Sequence, residues 1–152
     1  MTVTAHVENL TEGLQELSQH FEKHYLELAL NRDQVPLSPQ YEVYLRRDAN
    51  GEVCYVALRD AGNLVGYFVG FVAPGLHYST CLTCTLDIFW VHPEYRKGRS
   101  GIILFKAVEN ELKRRGVKRW FVGSKMHQPA DALFEYLKFE PVEKYYSKWL
   151  GE

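Results

Sequence analysis

Apolar and polar positions follow two periods along the chain, and each change of period marks an element. Residues 2–7 alternate and are rich in β-branched side chains, which predicts a first strand. Asn9 with Glu12 has the form of a capping box. After it, Leu10, Leu14, Leu17, Phe21, Tyr25 and Leu28 keep to one face, predicting a single helix to Leu28. Two prolines in residues 31–40 break it. Ser38 and Pro39 then read as N-cap and first-turn proline of a short helix through Tyr44 and Leu45. A turn at Asp48–Gly51 leads into strands at 52–60 and 63–74, joined by a tight turn at Ala61-Gly62-Asn63, and into a long strand at 76–91. Ile103, Leu104, Ala107, Val108 and Leu112 predict a helix ending near Gly116. Residues 117–124 read as a buried strand, 129–139 as a short helix with Pro129 in its first turn, and 140–150 as a last strand. The expected fold is α/β, layered, with a mixed, partly antiparallel sheet flanked by helices, in one domain spanning 1–152.

Composition narrows the class. The 18 basic and 19 acidic residues leave a net charge of −1, a poor match to a protein built to grip a phosphate backbone, so nucleic acid is not an expected partner. No apolar stretch is long enough for a membrane span, and the N-terminus lacks the basic and apolar regions of a signal peptide, so a cytoplasmic location is expected. Cys81 and Cys84 form a CxxC, but a tetrahedral zinc site needs four ligands and only His77 and His92 lie near. The pair sits in a β run where residues three apart point to opposite faces, so reduced thiols in a strand are expected and no metal. Lys113, Arg114, Arg115, Lys118 and Arg119 cluster mostly at a helix C-terminus, where cations compensate the dipole; nucleic-acid binding is the competing reading.

The chemistry-bearing stretch is the handover from strand to helix at 91–101. Val91-His92-Pro93 stops an apolar run, and Arg96, Lys97, Gly98, Arg99, Ser100 and Gly101 precede the next helix. A helix N-terminus offers unpaired N–H groups and partial positive charge, and glycine admits a ligand close to the backbone. With three cations added, the turn can hold a diphosphate or other anion. Alternatively the glycines only shape a turn and the cations are solvated. Neither GxGxxG nor GxxxxGK[ST] is present.

Residues 86–139 resemble the core of the GNAT-type N-acetyltransferases. The family's V-x-P-x-Y-R is similar to Val91-His92-Pro93-Glu94-Tyr95-Arg96, and Arg96 and Gly101 match the ends of its Q/R-x-x-G-x-G/A turn, with Arg99 in the place of the first glycine. A second family stretch, N-x-x-A-x-x-L-Y-E-K-L-G-F, resembles residues 127–139. There Ala130, Leu133, Glu135, Leu137 and Phe139 match, while His127, Phe134 and Lys138 replace the usual Asn, Tyr and Gly. From about Pro36 onward the chain also resembles a bacteriophage-encoded subgroup, which would place it in the host cytoplasm.

The resemblance implies acetyl-CoA as co-substrate. It implies that N–H groups of Arg99, Ser100, Gly101 and Ile102, with Arg96, hold the pyrophosphate, and that the strand at Phe89 to Val91 pairs with the pantetheine arm. His127 is expected to touch that arm, a surface or packing histidine being the other reading. An N–H near Val91 would polarise the thioester carbonyl. The implied acceptor is a primary amine of a small molecule or protein. An amine of pKa near 10.4 is free base in only about one molecule in a thousand at neutral pH, so a base is needed. Asp87 is the expected base, on one face with Phe89 and Val91 by the period of two, where some family members carry Glu; a structural carboxylate is the other reading. Phe134 cannot supply the proton that the family's Tyr gives the thiolate; Tyr145 and Tyr146 are the substitutes to look for. The first helices and the loop at Gly75–Thr80 would form the acceptor pocket, with His77 and Tyr78 lining it. A CoA-binding or partner-binding module of the same fold is the alternative to an enzyme, and a homodimer paired through the terminal strands is the expected assembly.

Overall fold

The structure is a computed structural model and describes residues 2–151. β1 (Val3–Val7), β2 (Val53–Asp60), β3 (Asn63–Gly75) and β4 (Tyr78–Val91) form an antiparallel meander. β5 (Arg119–Phe121) joins β4 in parallel, so the sheet order is β1-β2-β3-β4-β5. The β2–β3 connection is a two-residue turn with φ of +50° at Ala61 and +84° at Gly62, the left-handed pair that suits the twist of a hairpin.

The strands alternate between two cores. Cys54, Val56 and Leu58 of β2 pack with Phe68, with Leu104, Phe105, Val108 and Leu112 of α4 (Ser100–Arg114), and with Phe134 of α5 (Asp131–Tyr136). Val53, Tyr55 and Ala57 face the opposite side, with Tyr67, Val69 and Trp90. There they meet Leu10, Leu14 and Leu17 of α1 (Leu10–Ser18) and Phe21 of α2 (Phe21–Leu28). α3 (Tyr41–Ala49) closes that layer, tied to α1 where Thr11 donates from its N–H (3.1 Å) and its hydroxyl (2.5 Å) to Asp48. This mixed α/β layering, with helices on both faces of a mostly antiparallel sheet, is the expected architecture.

Several boundaries differ from expectation. The helix foreseen from Leu10 to Leu28 is two: Gln19 and His20 donate to the carbonyls of Glu16 and Leu17 three residues back, which tightens and closes α1 before α2 begins. α3 starts at Tyr41 with Gln40 as its cap, beyond Ser38 and Pro39. Pro129 lies ahead of α5, whose cap is Ala130. β5 has three residues only. The strand foreseen at 140–150 does not form. The chain leaves α5 through Lys138 at φ +70°, Phe139 packs on Trp120 and Phe134, and 140–151 runs on without a neighbouring strand to complete its ladder. Tyr145 and Tyr146 there are exposed.

One irregularity controls the site. Val69 pairs with Ile88 but Gly70 pairs with Leu86, so Asp87 is an extra residue in β4, a β-bulge. The bulge inverts the alternation. Before it, Leu82, Cys84 and Leu86 face the α4 core; after it, Phe89 and Val91 do, and Ile88 and Trp90 face α1 and α2.

Phe105 is the hub of the α4 core, with the rings of Phe68, Phe89, Trp120 and Phe134 centred 5.6, 5.0, 5.7 and 5.5 Å away. Phe105→Ala is expected to cost about 3–5 kcal/mol in urea unfolding; a loss below about 1 kcal/mol would contradict this packing.

Candidate active site

Local sequence makes the mouth of the site. β4 pairs with β5 only at Thr83–Thr85, so its outer edge from Leu86 to Val91 has no strand partner. His92 N–H donates to the Val65 carbonyl (2.8 Å), so His92, Trp90 and Ile88 are the residues that bond to β3. In an antiparallel ladder the residues between them, Phe89 and Val91, turn their N–H groups the other way, into the opening between β4 and β5. The Val91 carbonyl is taken by Arg96 Nε (2.7 Å). What remains is a V-shaped gap at the C-terminal ends of two parallel strands, with two backbone donors on one wall.

The turn from β4 to α4 closes the top of the gap. A single 3₁₀ turn at Pro93–Tyr95 leads to Gly98, whose φ of +95° is the left-handed conformation glycine tolerates. Arg99 is the cap of α4, and among the described residues the N–H groups of Arg99, Ser100, Gly101 and Ile102 have no acceptor. No acidic side chain stands in this first turn. A Cβ on Gly101 would lie 3.3 Å from Leu133 of α5, so the bare backbone keeps α5 close against the start of α4.

Behind the gap lies a cavity of about 390 Å³ between β4, α2 and the α2–α3 loop. Phe21, Leu28, Val35, Leu37, Tyr44 and Ile88 are among its walls, and Asp87 is at its floor. Leu82, Cys84 and Leu86 face the α4 core, so alternation turns Asp87 to this side, and its carboxylate accepts a hydrogen bond from the Tyr44 hydroxyl of α3. Burial pushes its carboxyl above the ordinary range, opposed by the Tyr44 hydrogen bond and by Arg47. The period-of-two expectation that Asp87 shares a face with Phe89 and Val91 is therefore overturned. Phe89 packs among Phe105 and Phe134, and Asp87 points into the opposite layer.

α2 is held over this cavity by polar ties. Glu27 accepts hydrogen bonds from Trp90 Nε1 (2.8 Å) and from both terminal nitrogens of Arg96. The Arg96 bonds hold the Glu27 carboxyl below its usual range. His24 Nδ1 and the Tyr67 hydroxyl share a hydrogen bond of 2.7 Å, and burial pushes the His24 imidazole down to about 4, so it is neutral at physiological pH. His127 Nε2 donates to the Leu28 carbonyl (3.1 Å), linking the loop after β5 to the end of α2.

The structure thus brings Asp87, Phe89 and Val91 to one stretch of β4, with Arg99, Ser100, Gly101 and Ile102 around the next helix start. It does not bring the other expected residues to their expected places. The guanidinium of Arg96 is spent on Glu27 and Val91 rather than free for an anion. His77 and Tyr78 lie at the β3–β4 hairpin, and Tyr78 stands nine residues before Asp87 in β4, roughly 30 Å at the rise of an extended strand. Tyr78 instead stacks under Arg119 (5.2 Å). Tyr44 and Glu27 were not foreseen as site residues; their partners Asp87 and Arg96 lie 43 and 69 residues away in sequence, where periodicity is silent.

Two other expectations can be placed. Burial raises the thiols of Cys54 to about 11 and Cys84 to about 12, and among the described residues no three His, Cys, Asp or Glu side chains gather as a metal site. In the basic cluster, Lys113 pairs with Glu109 and Arg114 with Glu111, and Arg115 donates to the carbonyls of Val53 and Gly51. No helix among the described residues is long and apolar enough to cross a membrane.

The site is thus a strand interrupted by a bulge beside a helix whose first N–H groups are unpaired. A model of the acetyltransferase (GNAT) family matches residues 15–139, and the chain belongs to that family. It is an acetyl-CoA-dependent acetyltransferase. Solved structures agree over the whole length. A ribosomal-protein-alanine N-acetyltransferase from Brucella melitensis biovar Abortus 2308 superposes with a TM-score of 0.76 at 15% identity, covering 100% of each chain. An aminoglycoside acetyltransferase from an uncultured soil metagenomic sample gives 0.77 at 14%, covering 99% of this chain and 100% of that one. A predicted acetyltransferase with acetyl-CoA from Clostridium acetobutylicum gives 0.70 at 9%, covering 98% and 97%. At these identities the likeness is one of fold. No curated protein sequence matches the chain.

Because the Tyr44 hydrogen bond stabilises the ionised carboxylate, Tyr44→Phe is expected to raise the Asp87 pKa further. A side-chain carboxyl NMR titration measures it; an unchanged or lowered value would contradict the pairing.

Proposed function

We propose that this enzyme moves the acetyl group of acetyl-CoA directly to a primary amine seated in the α2–α3 cavity. One observation carries the reading: at the bulge, the Asp87 carboxylate stands in the cavity within two residues of backbone donors that face the β4–β5 gap. Acetyl-CoA supplies an activated acetyl thioester. The chain's own groups fit it: four unpaired N–H groups at the start of α4, with Lys97 and Arg99 beside them and no carboxylate in the first turn, suit a pyrophosphate. The outward N–H groups of Phe89 and Val91 suit the amides of the pantetheine arm and the thioester carbonyl, where one donor stabilises developing negative charge.

Asp87 takes a proton from the incoming amine, directly or through one water. Its position in an apolar, half-closed floor serves this twice. Burial brings its basicity nearer to working pH, and the ionised form attracts the ammonium that precedes the free base. Tyr44 holds the carboxylate in place. Phe134 is packed in the α4 core and gives the departing thiolate no proton, and Tyr145 and Tyr146 stand on the exposed tail, so proton return falls to solvent. His127, bonded to Leu28, serves as a strap between α2 and the β5 loop rather than as an acid.

The resemblance from about Pro36 onward supports a bacteriophage origin and hence the host cytoplasm. For a homodimer, β1 and β5 are the sheet edges available.

Two measurements test the reading. Thiol release from acetyl-CoA in the presence of amines should fall about 10²–10⁴-fold in kcat for Asp87→Asn, with acetyl-CoA affinity unchanged; equal turnover would remove Asp87 from the mechanism. Gly101→Val, which drives a side chain into Leu133 at the helix start, should weaken CoA binding about tenfold or more by calorimetry. Tight CoA binding without thiol release from any amine would favour the binding-module alternative.

A further inference from the structure

The cavity that receives the acceptor has a chemistry of its own. Its walls are mostly apolar: Phe21 and Leu28 from α2, Leu30, Val35 and Leu37 from the following loop, and Ile88 from β4, with the hydroxyls of Tyr25, Ser38 and Tyr44 among them. Three of these, Leu30, Val35 and Leu37, are 56%, 43% and 43% exposed, so apolar surface lies uncovered around the rim. Against this there is one carboxylate, Asp87, and it sits at the floor. The one cationic side chain in the lining is Lys125, and the imidazole of His24 is neutral. Glu27, the nearest carboxylate on the same helix, is turned away and bonded to Arg96 and Trp90.

Resting on the acetyl-transfer reading above, we propose that the acceptor is a small amine with a single positive charge on an apolar, aliphatic or aromatic body, and that polycationic amines are rejected. The ammonium group goes to Asp87 and the body lies along Phe21, Leu28, Val35 and Leu37. The energetics favour this assignment from both sides. Each methylene placed on such a wall strengthens binding by roughly fourfold. A second ammonium group would be drawn out of water with no carboxylate to meet it and Lys125 to repel it, a cost far above that of a missing methylene. The volume of about 390 Å³ is at the small-molecule end of pocket sizes.

The test compares 2-phenylethylamine and 3-methylbutylamine with spermidine and kanamycin at one pH and ionic strength. The two apolar monoamines should exceed both polycations in kcat/KM by about a hundredfold. Calorimetric binding of 2-phenylethylamine and spermidine to the protein saturated with CoA, which has no acetyl group to give, should show the same order. Leu37→Glu adds a carboxylate at an exposed position that tolerates it, and should shrink the monoamine-to-spermidine ratio at least about tenfold. Equal or better use or binding of spermidine or kanamycin overturns the proposal. If no amine is acetylated but the CoA-saturated protein still binds 2-phenylethylamine over spermidine, the transfer reading fails while the assigned ligand class stands. If neither amine binds, the ligand class fails on its own, whatever the enzyme does with other acceptors.

Discussion

The extra residue in β4 is the constraint on which the site depends. Up to Leu86 the alternation of β4 already turns Asp87 to the layer of α2 and α3, where Tyr44 meets it. Without the extra residue Phe89 and Val91 would face that layer too; the bulge returns their side chains to the aromatic core around Phe105. The pairing of β4 with β5 ends two residues before it, which leaves the Phe89 and Val91 N–H groups without a strand partner. One inserted residue therefore separates two kinds of chemistry onto two sides of one strand: base and acceptor behind, thioester recognition at the edge.

A bulge alone would leave the cavity without a roof. α2 has one fully buried apolar residue, Phe21, too little to position a helix of eight residues by packing. Its place is set by polar ties to three separate elements: His24 to Tyr67 on β3, Glu27 to Trp90 on β4 and to Arg96 beyond it, and the Leu28 carbonyl to His127 after β5. Arg96 binds the roof to the very turn that precedes the bare start of α4. Acceptor wall and cofactor turn are thus one mechanical unit, joined by a charge-assisted pair that is only partly exposed.

What was legible in the sequence follows from how local each signal is. The hairpin, the long strands, α4 and its glycine-bearing start rest on periods and turn residues within a dozen positions, and all are present in the structure. Asp87 was legible as a carboxylate near the end of a strand. Its separation from Phe89 and Val91 was not, because an unbroken β run from Tyr78 to Val91 carries no mark of a bulge and alternation puts all three on one face. The tie of Arg96 was hidden for a different reason: as part of a basic turn it reads as an anion ligand, and its partner Glu27 lies 69 residues upstream. His77 and Tyr78 look like binding residues in a loop, yet the length of β4 carries them to the far end of the sheet. The break between α1 and α2 was hidden because the apolar stripe continues across it, and the terminal strand failed because alternation gives no promise of a neighbour to pair with.

The most direct measurement of the central claim is a crystal structure with acetyl-CoA's product, coenzyme A, and an amine bound together. The account predicts the pantetheine arm along the free edge of β4, with a Phe89 or Val91 N–H about 3 Å from an oxygen of the arm. It also predicts the amine nitrogen on the opposite side of the strand, bonded to Asp87 or to one water between them. A coenzyme bound away from that edge, or an amine that leaves Asp87 sealed behind Tyr44, would contradict it.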